Sequence, residues 1–479
     1  MLARLGHRGP DDMGERRVGR SWIGHARLSI VDLEGGGQPL VDRDGRRFVI
    51  CNGEIYNHRA LRERLGHDRF LTDSDCEAAL HAVAAWGPSA VAELKGMFAV
   101  CVADADGGVV MARDLLGIKP LYWARRGERT LFASELRAFE PEWRRDVRTF
   151  PPGHVWTPED GLRPFGTIAE EADLFTTRSE AVEAVRAALI TGVRRRLMAD
   201  VPVGVFLSGG LDSSLVAAIA TREVAGSGER LRSFAVGLAG SPDLAAARTV
   251  ADHLGLEHHE RVYDATEAAA VLERAVAVTE SYEPSLVRSA VPNYLLAELA
   301  ALHVKVVLTG EGADELFAGY DHYRDIADAE ELNAELVRNV AGLHDLNLQR
   351  CDRVTMAHGL EARVPFLDLD LIAVAQRVPP PWKLPGPTGQ EKRLLREAFE
   401  GWLPHETLWR RKAQFGDGSG ASTVLPEYAA SLVGPDWESE RVDGLPAPRS
   451  REELAYQRIF ADHLAGIRAD QVLGRFATA

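Results

Sequence analysis

The chain has 479 residues, 46% of them hydrophobic and 27% charged, with 56 Lys plus Arg against 71 Asp plus Glu and a formal charge of −15. That length exceeds one ordinary core and predicts two domains, and the composition is that of a globular rather than a disordered protein. No apolar run approaches the roughly 18 residues that span a bilayer, no apolar signal segment opens the chain, and a negative surface repels nucleic-acid backbones, so neither a membrane nor a nucleic acid is an expected partner.

Up to Phe139 the chain reads as short apolar runs broken by Gly, Asp and Asn: Phe48–Cys51, Phe98–Val102, Val109–Ala112 and Leu131–Ala133. Two helical patterns interrupt them, around Arg59–Leu65 and Cys76–Trp86, and together they predict a β-rich α+β domain over residues 1–150. Residues 151–178, rich in Pro, Gly and charge, read as a linker with room for one strand. From residue 179 to 479 the texture changes. Helices are predicted at Glu180–Ala199, Ser213–Val224, Asp243–Leu254 and Val291–Leu302, and strands at Val203–Leu207, Leu231–Val236 and Val304–Leu308. Strand and helix in alternation imply parallel strands joined by crossover helices, and the part beyond Asp325 reads as mostly helical. The four cysteines (Cys51, Cys76, Cys101, Cys351) lack CxxC spacing, which speaks against a disulfide framework and a zinc site and for a reducing cytoplasm.

The strongest local signal is VGVFLSGGLDSS at Val203–Ser214, a strand running through Ser208, Gly209 and Gly210 into a helix. Glycines let backbone N–H groups approach an anion closely, the helix start adds partial positive charge, and Ser208, Ser213 and Ser214 add hydroxyl donors. A Gly-rich turn with serine capping is the plain alternative, but the full string in a strand–turn–helix context makes it the weaker one. There is no GKS or GKT, so this is not a Walker loop. The string resembles the PP-loop of ATP pyrophosphatases. That resemblance implies that Ser208, Gly209, Gly210, Leu211, Asp212, Ser213 and Ser214 hold pyrophosphate, with Asp212 as a Mg²⁺ ligand.

A second constellation, TGEGADELFAGY at Thr309–Tyr320, crowds Glu311, Asp314 and Glu315 into a loop after a strand. An acidic first helical turn is common, yet ligands of open parallel sheets bind at the C-terminal ends of strands. With SFAVGL at Ser233–Leu238, EARVPFLD at Glu361–Asp368 and RRKAQF at Arg410–Phe415, the chain resembles glutamine-dependent asparagine synthetases over nearly its whole length. The resemblance implies that Leu207, Val236, Thr309 and Gly310 complete the ATP site. It makes Glu311, Asp314 and Lys412 catalytic, adds Asp314 as a second Mg²⁺ ligand, and offers Arg288 and Arg363 as aspartate or phosphate contacts. Glu311 would serve the β-aspartyl-AMP intermediate and the attack of ammonia.

The first domain resembles the class II, N-terminal nucleophile glutaminases, through HRGPDD from His7, HARLSIVDL from His25, NGEIYN from Asn52 and TDSDCE from Thr72. The resemblance implies a glutamine site of Arg27, Leu28, Ser29, Ile30, Val31, Asn52, Gly53, Glu54 and Asp75. Arg27 would take the α-carboxylate, Asp75 the ammonium, and Asn52 with the Gly53 N–H the oxyanion. The family nucleophile is a Cys at the mature N-terminus, whereas this sequence opens Met1-Leu2 directly before HRGPDD. The expectation is therefore either a start upstream of Met1 or the use of free ammonia.

The fold expected is thus an α+β Ntn glutaminase-like domain followed by an α/β PP-loop domain with a parallel sheet and a helical C-terminal part. The function expected is synthesis of asparagine, AMP and pyrophosphate from aspartate, ATP and glutamine or ammonia. A β-lactam synthetase-like or other amide-forming enzyme acting on another carboxylate, and a catalytically inactive regulatory homologue, are the alternatives. Small molecules are the expected partners, and a homodimer stays open.

Overall fold

The computed structural model describes residues 1–168, 173–226, 228, 230–385, 389–411 and 419–476. In the first domain a six-stranded sheet orders Gly161–Pro164, His154–Thr157, Val109–Arg113, Gly96–Asp104, Arg47–Ile55 and Leu40–Val41, every neighbouring pair antiparallel. Its central strand alternates cleanly. Phe98, Val100 and Val102 pack toward helices His58–Leu65 and Glu77–Trp86, while Ala99, Cys101 and Ala103 face Val18, Ile23, Phe150 and Trp156. A sheet buried on both faces needs this apolar run on both sides of the pleat. The hairpin Asp12–Val18/Ser21–Arg27 and a small sheet of Tyr122–Arg126, Arg129–Ala133 and Arg148–Thr149 complete the domain.

The stretch read as a linker is corrected in its first part. His154–Thr157 and Gly161–Pro164 are strands of the main sheet, because Val155 and Trp156 bury against its two opposite faces.

In the second domain five strands, all parallel, lie in the order Glu257–Tyr263, Arg232–Leu238, Val203–Phe206, Val306–Leu308, Glu361–Arg363. The sequence order reverses between Val203–Phe206 and Val306–Leu308, which opens a crevice at their C-terminal ends. Helices Arg178–Arg196 and Leu211–Val224 cover one face and Ala265–Thr279 and Pro284–Ala301 the other. No helix among the described residues is long and apolar enough to cross a membrane.

The two domains share their cores. Met97, Leu116 and Ile118 join the cluster of helix Arg178–Arg196, and Tyr122, Ala124 and Phe139 join that of helix Pro284–Ala301. Buried ion pairs cross the same junction: Arg8 to Asp352 at 2.7 Å, Lys119 to Glu361 at 2.9 Å, and Arg363 to Glu54 at 2.9 Å. Apolar packing supplies the burial, and charges so deeply placed must be paired to be tolerated.

Candidate active site

The crevice holds a cavity of about 670 Å³ whose floor is the 208–213 loop. Within the loop Ser213 Oγ accepts from the Ser208 N–H at 3.2 Å and lies 3.1 Å from Ser208 Oγ, and the Gly210 N–H donates to Ser208 Oγ at 3.3 Å. The serines thus brace the turn as well as offering donors. Gly209 has φ +69, and a Cβ there would lie 2.5 Å from the Ala246 carbonyl carbon. Helix Pro242–Leu254 therefore touches the loop from behind, and only glycine fits. Arg410 fixes the same point, donating to the Gly209 carbonyl at 3.1 Å while pairing with Asp243 at 3.0 Å.

Opposite stands the 309–316 segment. A Cβ on Gly310 would come within 2.9 Å of Asp212 Cβ and 3.0 Å of the Ser213 nitrogen, so this glycine lets the two loops meet. Glu311 pairs with Arg350, which also donates to Ser289 Oγ at 2.8 Å. Burial raises the Glu311 carboxyl above its ordinary range, Arg350 opposes this, and Asp314 reinforces it. Glu315 is pushed up to about 7 by burial and by Asp314, and it accepts from the Tyr320 hydroxyl at 2.6 Å.

Leu207, Ser208, Gly210, Leu211, Asp212, Ser213, Val236, Thr309, Gly310, Glu311, Asp314 and Arg288 all line this one cavity. Three sequence expectations are placed differently. Ser214 is fully buried in the first turn of helix Leu211–Val224 and faces the core, because the helix turns it away from the crevice. Gly209 shapes the loop from outside the lining. Arg363 is no substrate contact: it is 0% exposed, pairs with Glu54 and Glu361 at 2.9 Å each, and donates to the carbonyls of Arg196 and Met198. Lys412 lies outside the described residues. Arg288 lines the cavity while holding Glu452 at 2.8 Å.

The sequence reading missed Lys392, Arg350 and Arg410, all of which line the cavity. Lys392 Nζ sits 2.5 Å from Asp212 Oδ2 and 2.7 Å from Asp314 Oδ1. Burial would lower its ammonium, but the two carboxylates more than reverse that and raise it. Arg410 opens the RRKAQF string and so was within reach of motif reading; Arg350 and Lys392 stand in ordinary helical text.

The shape of Gly209 carries a first prediction. Gly209→Ala forces a side chain into a left-handed turn against Ala246, a strain of order 1–3 kcal/mol. Affinity for ATP should fall about tenfold or more, and the melting transition should fall by a few degrees. Unchanged ATP affinity in calorimetry would show that the loop tolerates a Cβ.

A second cavity, about 170 Å³, lies in the first domain and is lined by Arg27, Leu28, Ile30, Val31, Asn52, Gly53, Glu54 and Asp75 among others. Ser29 is not in its lining; its N–H donates to Asp11 at 2.7 Å. Arg27 donates to the carbonyls of Leu33, Val31 and Asp32, which sets its guanidinium at the cavity edge. Asp75 accepts from the Ile55 N–H at 2.6 Å, and burial pushes it up to about 6 against that bond. Glu54 turns its carboxylate to Arg363. Gly53 has φ +129, and a Cβ would lie 1.9 Å from the Met97 carbonyl oxygen, so this position in strand Arg47–Ile55 requires glycine. Helix Asn347–Met356 reaches both cavities, with Arg350 and Val354 in the larger and Met356 in the smaller.

A PP-loop crevice joined through a shared core to an antiparallel glutaminase-like domain defines a two-domain amidotransferase of the ATP pyrophosphatase type. Comparison with known proteins agrees. The asparagine synthase family model matches residues 184–330 and 324–473, and a glutamine amidotransferase domain model matches 1–159. A probable glutamine-hydrolysing asparagine synthetase of Schizosaccharomyces pombe is 39% identical over 504 residues, covering 98% of this chain and 90% of the relative. Asparagine synthetase B of Escherichia coli is 39% identical, covering 95% and 86%, and asparagine synthetase 3 of Arabidopsis thaliana 39%, covering 95% and 82%. The chain belongs to the asparagine synthase family.

Proposed function

We propose that the protein is a glutamine-hydrolysing, asparagine synthase-type ligase that converts aspartate and ATP to asparagine, AMP and pyrophosphate. The observation that carries this reading is the single crevice in which the 208–213 loop faces Glu311, Asp314 and a set of basic side chains that includes Arg288, Arg350, Lys392 and Arg410. Relatives of nearly equal length bear the same activity in their names.

The chemistry follows from the charges. A side-chain carboxylate oxygen of aspartate attacks the α-phosphorus of ATP, a new P–O bond forms, the bond to the β-phosphate breaks, and pyrophosphate leaves. The amides of the 208–213 loop and the cations around it stabilise the charge that builds on the leaving group. Ammonia then attacks the acyl carbon, loses a proton, and AMP departs with its bonding electrons. Glu311, a carboxylate held in place by Arg350, takes that proton. Asp212 Oδ2 and Asp314 Oδ1 converge on one cationic point, a donor set that fits a hard divalent ion. Mg²⁺ held there by Asp212 and Asp314 would neutralise phosphate oxygens.

In the first domain Arg27, Asn52, Gly53 and Asp75 bind glutamine, and helix Asn347–Met356, which lines both cavities, is the element along which ammonia released in one would travel to the other. The four cysteines, all free and buried, suit a reducing cytoplasm. A homodimer is compatible with this arrangement. The test is product identity: with aspartate and ammonium the protein should release AMP and pyrophosphate in equal amounts, and ADP with phosphate would overturn the reading.

A further inference from the structure

Resting on the reading of the large cavity as the place where a carboxylate is adenylated, we propose that Phe476 determines which acid is accepted there. The residue is half-buried and lines the cavity together with Ser285, Arg288, Leu343, Leu346 and Asn347. Its ring is an apolar wall at the acid end, so that a short dicarboxylate fits and a longer one is turned away.

The segment that brings Phe476 to the cavity is anchored along its length. After helix Arg451–Leu464, Ile467, Ala469 and Val472 bury in the cluster of helices Ala265–Thr279 and Pro284–Ala301. A Cβ on Gly474 would stand 2.9 Å from Asp345 Cβ and 3.1 Å from the Asp345 carbonyl oxygen. Glycine there lets the backbone lie flat against the turn before helix Asn347–Met356. Arg475 pairs with Glu453, and Arg449 donates to the Phe476 carbonyl at 3.2 Å. Arg449 is itself fixed by Glu283 at 2.7 Å and by Glu453 at 2.9 Å. Those carboxylates are 1% and 0% exposed, and buried charge-assisted pairs of this kind are strong and fixed in direction.

The same anchors locate the end of the cavity that Phe476 walls. Glu283 is the N-cap of helix Pro284–Ala301, which carries Arg288 and Ser289, and Asp345 lies two residues before the helix that carries Arg350. Arg350 links Ser289 to Glu311, the carboxylate assigned to the attack on the acyl carbon. Glu452, next to Glu453 on one helix, holds Arg288 at 2.8 Å. One turn of helix Arg451–Leu464 thus fixes a cationic and an apolar member of the wall. The guanidinium attracts the acid, whereas the ring has no group to pair with a carboxylate and acts by shape. It sets how many methylenes fit between Arg288 and the reacting carboxylate. One methylene more or fewer against an apolar wall changes kcat/KM by about 10–200-fold. Phe476 is a specificity-determining residue and transfers no proton or phosphoryl group.

The experiment compares kcat/KM of the full chain for aspartate and glutamate, with ATP and ammonium, by pyrophosphate release. Wild type should prefer aspartate. Phe476→Ala should narrow that preference at least about tenfold, through a higher KM for aspartate and a gain of turnover with glutamate. Its KM for ATP should stay at the wild-type value. Phe476→Leu, which keeps part of the apolar bulk, should fall between the two. An unchanged preference in the alanine variant would overturn the inference. So would a rise in KM for ATP as large as that for aspartate, which would put the ring beside the nucleotide. If the alanine variant fails to fold, an unchanged preference in the leucine variant overturns the inference in its place. Absence of aspartate-dependent pyrophosphate release by wild type would overturn the ligase reading and this inference with it. Asparagine synthesis by wild type, with its preference retained in the variants, would overturn this inference alone.

Discussion

Glu311→Gln should lower asparagine formation by about 10²–10⁴-fold while the affinity for ATP stays within a factor of about three. The substitution keeps the volume and one acceptor oxygen for Arg350, so the loop stays in place: Arg350 retains Ser289, and the Glu311 N–H still donates to Thr309 Oγ1 at 3.4 Å. What disappears is a negative charge that can take a proton from the attacking amine. Adenylation does not need that proton transfer, so aspartate-dependent exchange of labelled pyrophosphate into ATP should survive in the variant. Full turnover by Glu311→Gln would remove this carboxylate from the chemistry, and loss of exchange would move its role to the first step.

Arg363→Met should be the most destabilising single change at the domain junction. The guanidinium, 0% exposed, pairs with Glu54 from the first domain and Glu361 from its own strand, and donates to two carbonyls of the segment after helix Arg178–Arg196. Methionine matches some of the volume and leaves the carboxylate of Glu54 buried beside Asp75 without its cation. Breaking such a pair costs about 3–5 kcal/mol. Urea unfolding should show a lowered midpoint, and Arg363→Met combined with Glu54→Gln should recover part of it, since the orphaned charge is then gone. A midpoint equal to wild type would mean that water or a neighbour takes over the role of Arg363.

These two residues mark where sequence reading succeeds and where it stops. Glu311 sits in a string whose chemistry is local: three carboxylates after a buried strand, at the end of a parallel sheet. The 203–224 strand, turn and helix are legible for the same reason, since the apolar run, the glycines and the helix follow one another along the chain. Arg363 belongs to an equally recognisable string, EARVPFLD, yet whether its guanidinium enters a cavity or a core depends on Glu54, some 300 positions earlier. Lys392 depends in the same way on Asp212 and Asp314. The edge strand Glu257–Tyr263, EHHERVY, escapes notice because it pairs on one side only and carries charge along its half-exposed length. The hairpin strand Asp12–Val18, DMGERRV, is similarly polar and mostly exposed. Strands betray themselves by burial, and these two have little of it.

Transfer of oxygen tests the central claim most directly. Aspartate labelled with ¹⁸O in its side-chain carboxylate is supplied with ATP and ammonium, and the products are weighed by mass spectrometry. Adenylation requires one carboxylate oxygen to leave with the α-phosphate, so AMP should carry one ¹⁸O for each asparagine formed and pyrophosphate none. Label in inorganic phosphate alongside ADP, or AMP without label, would contradict the account.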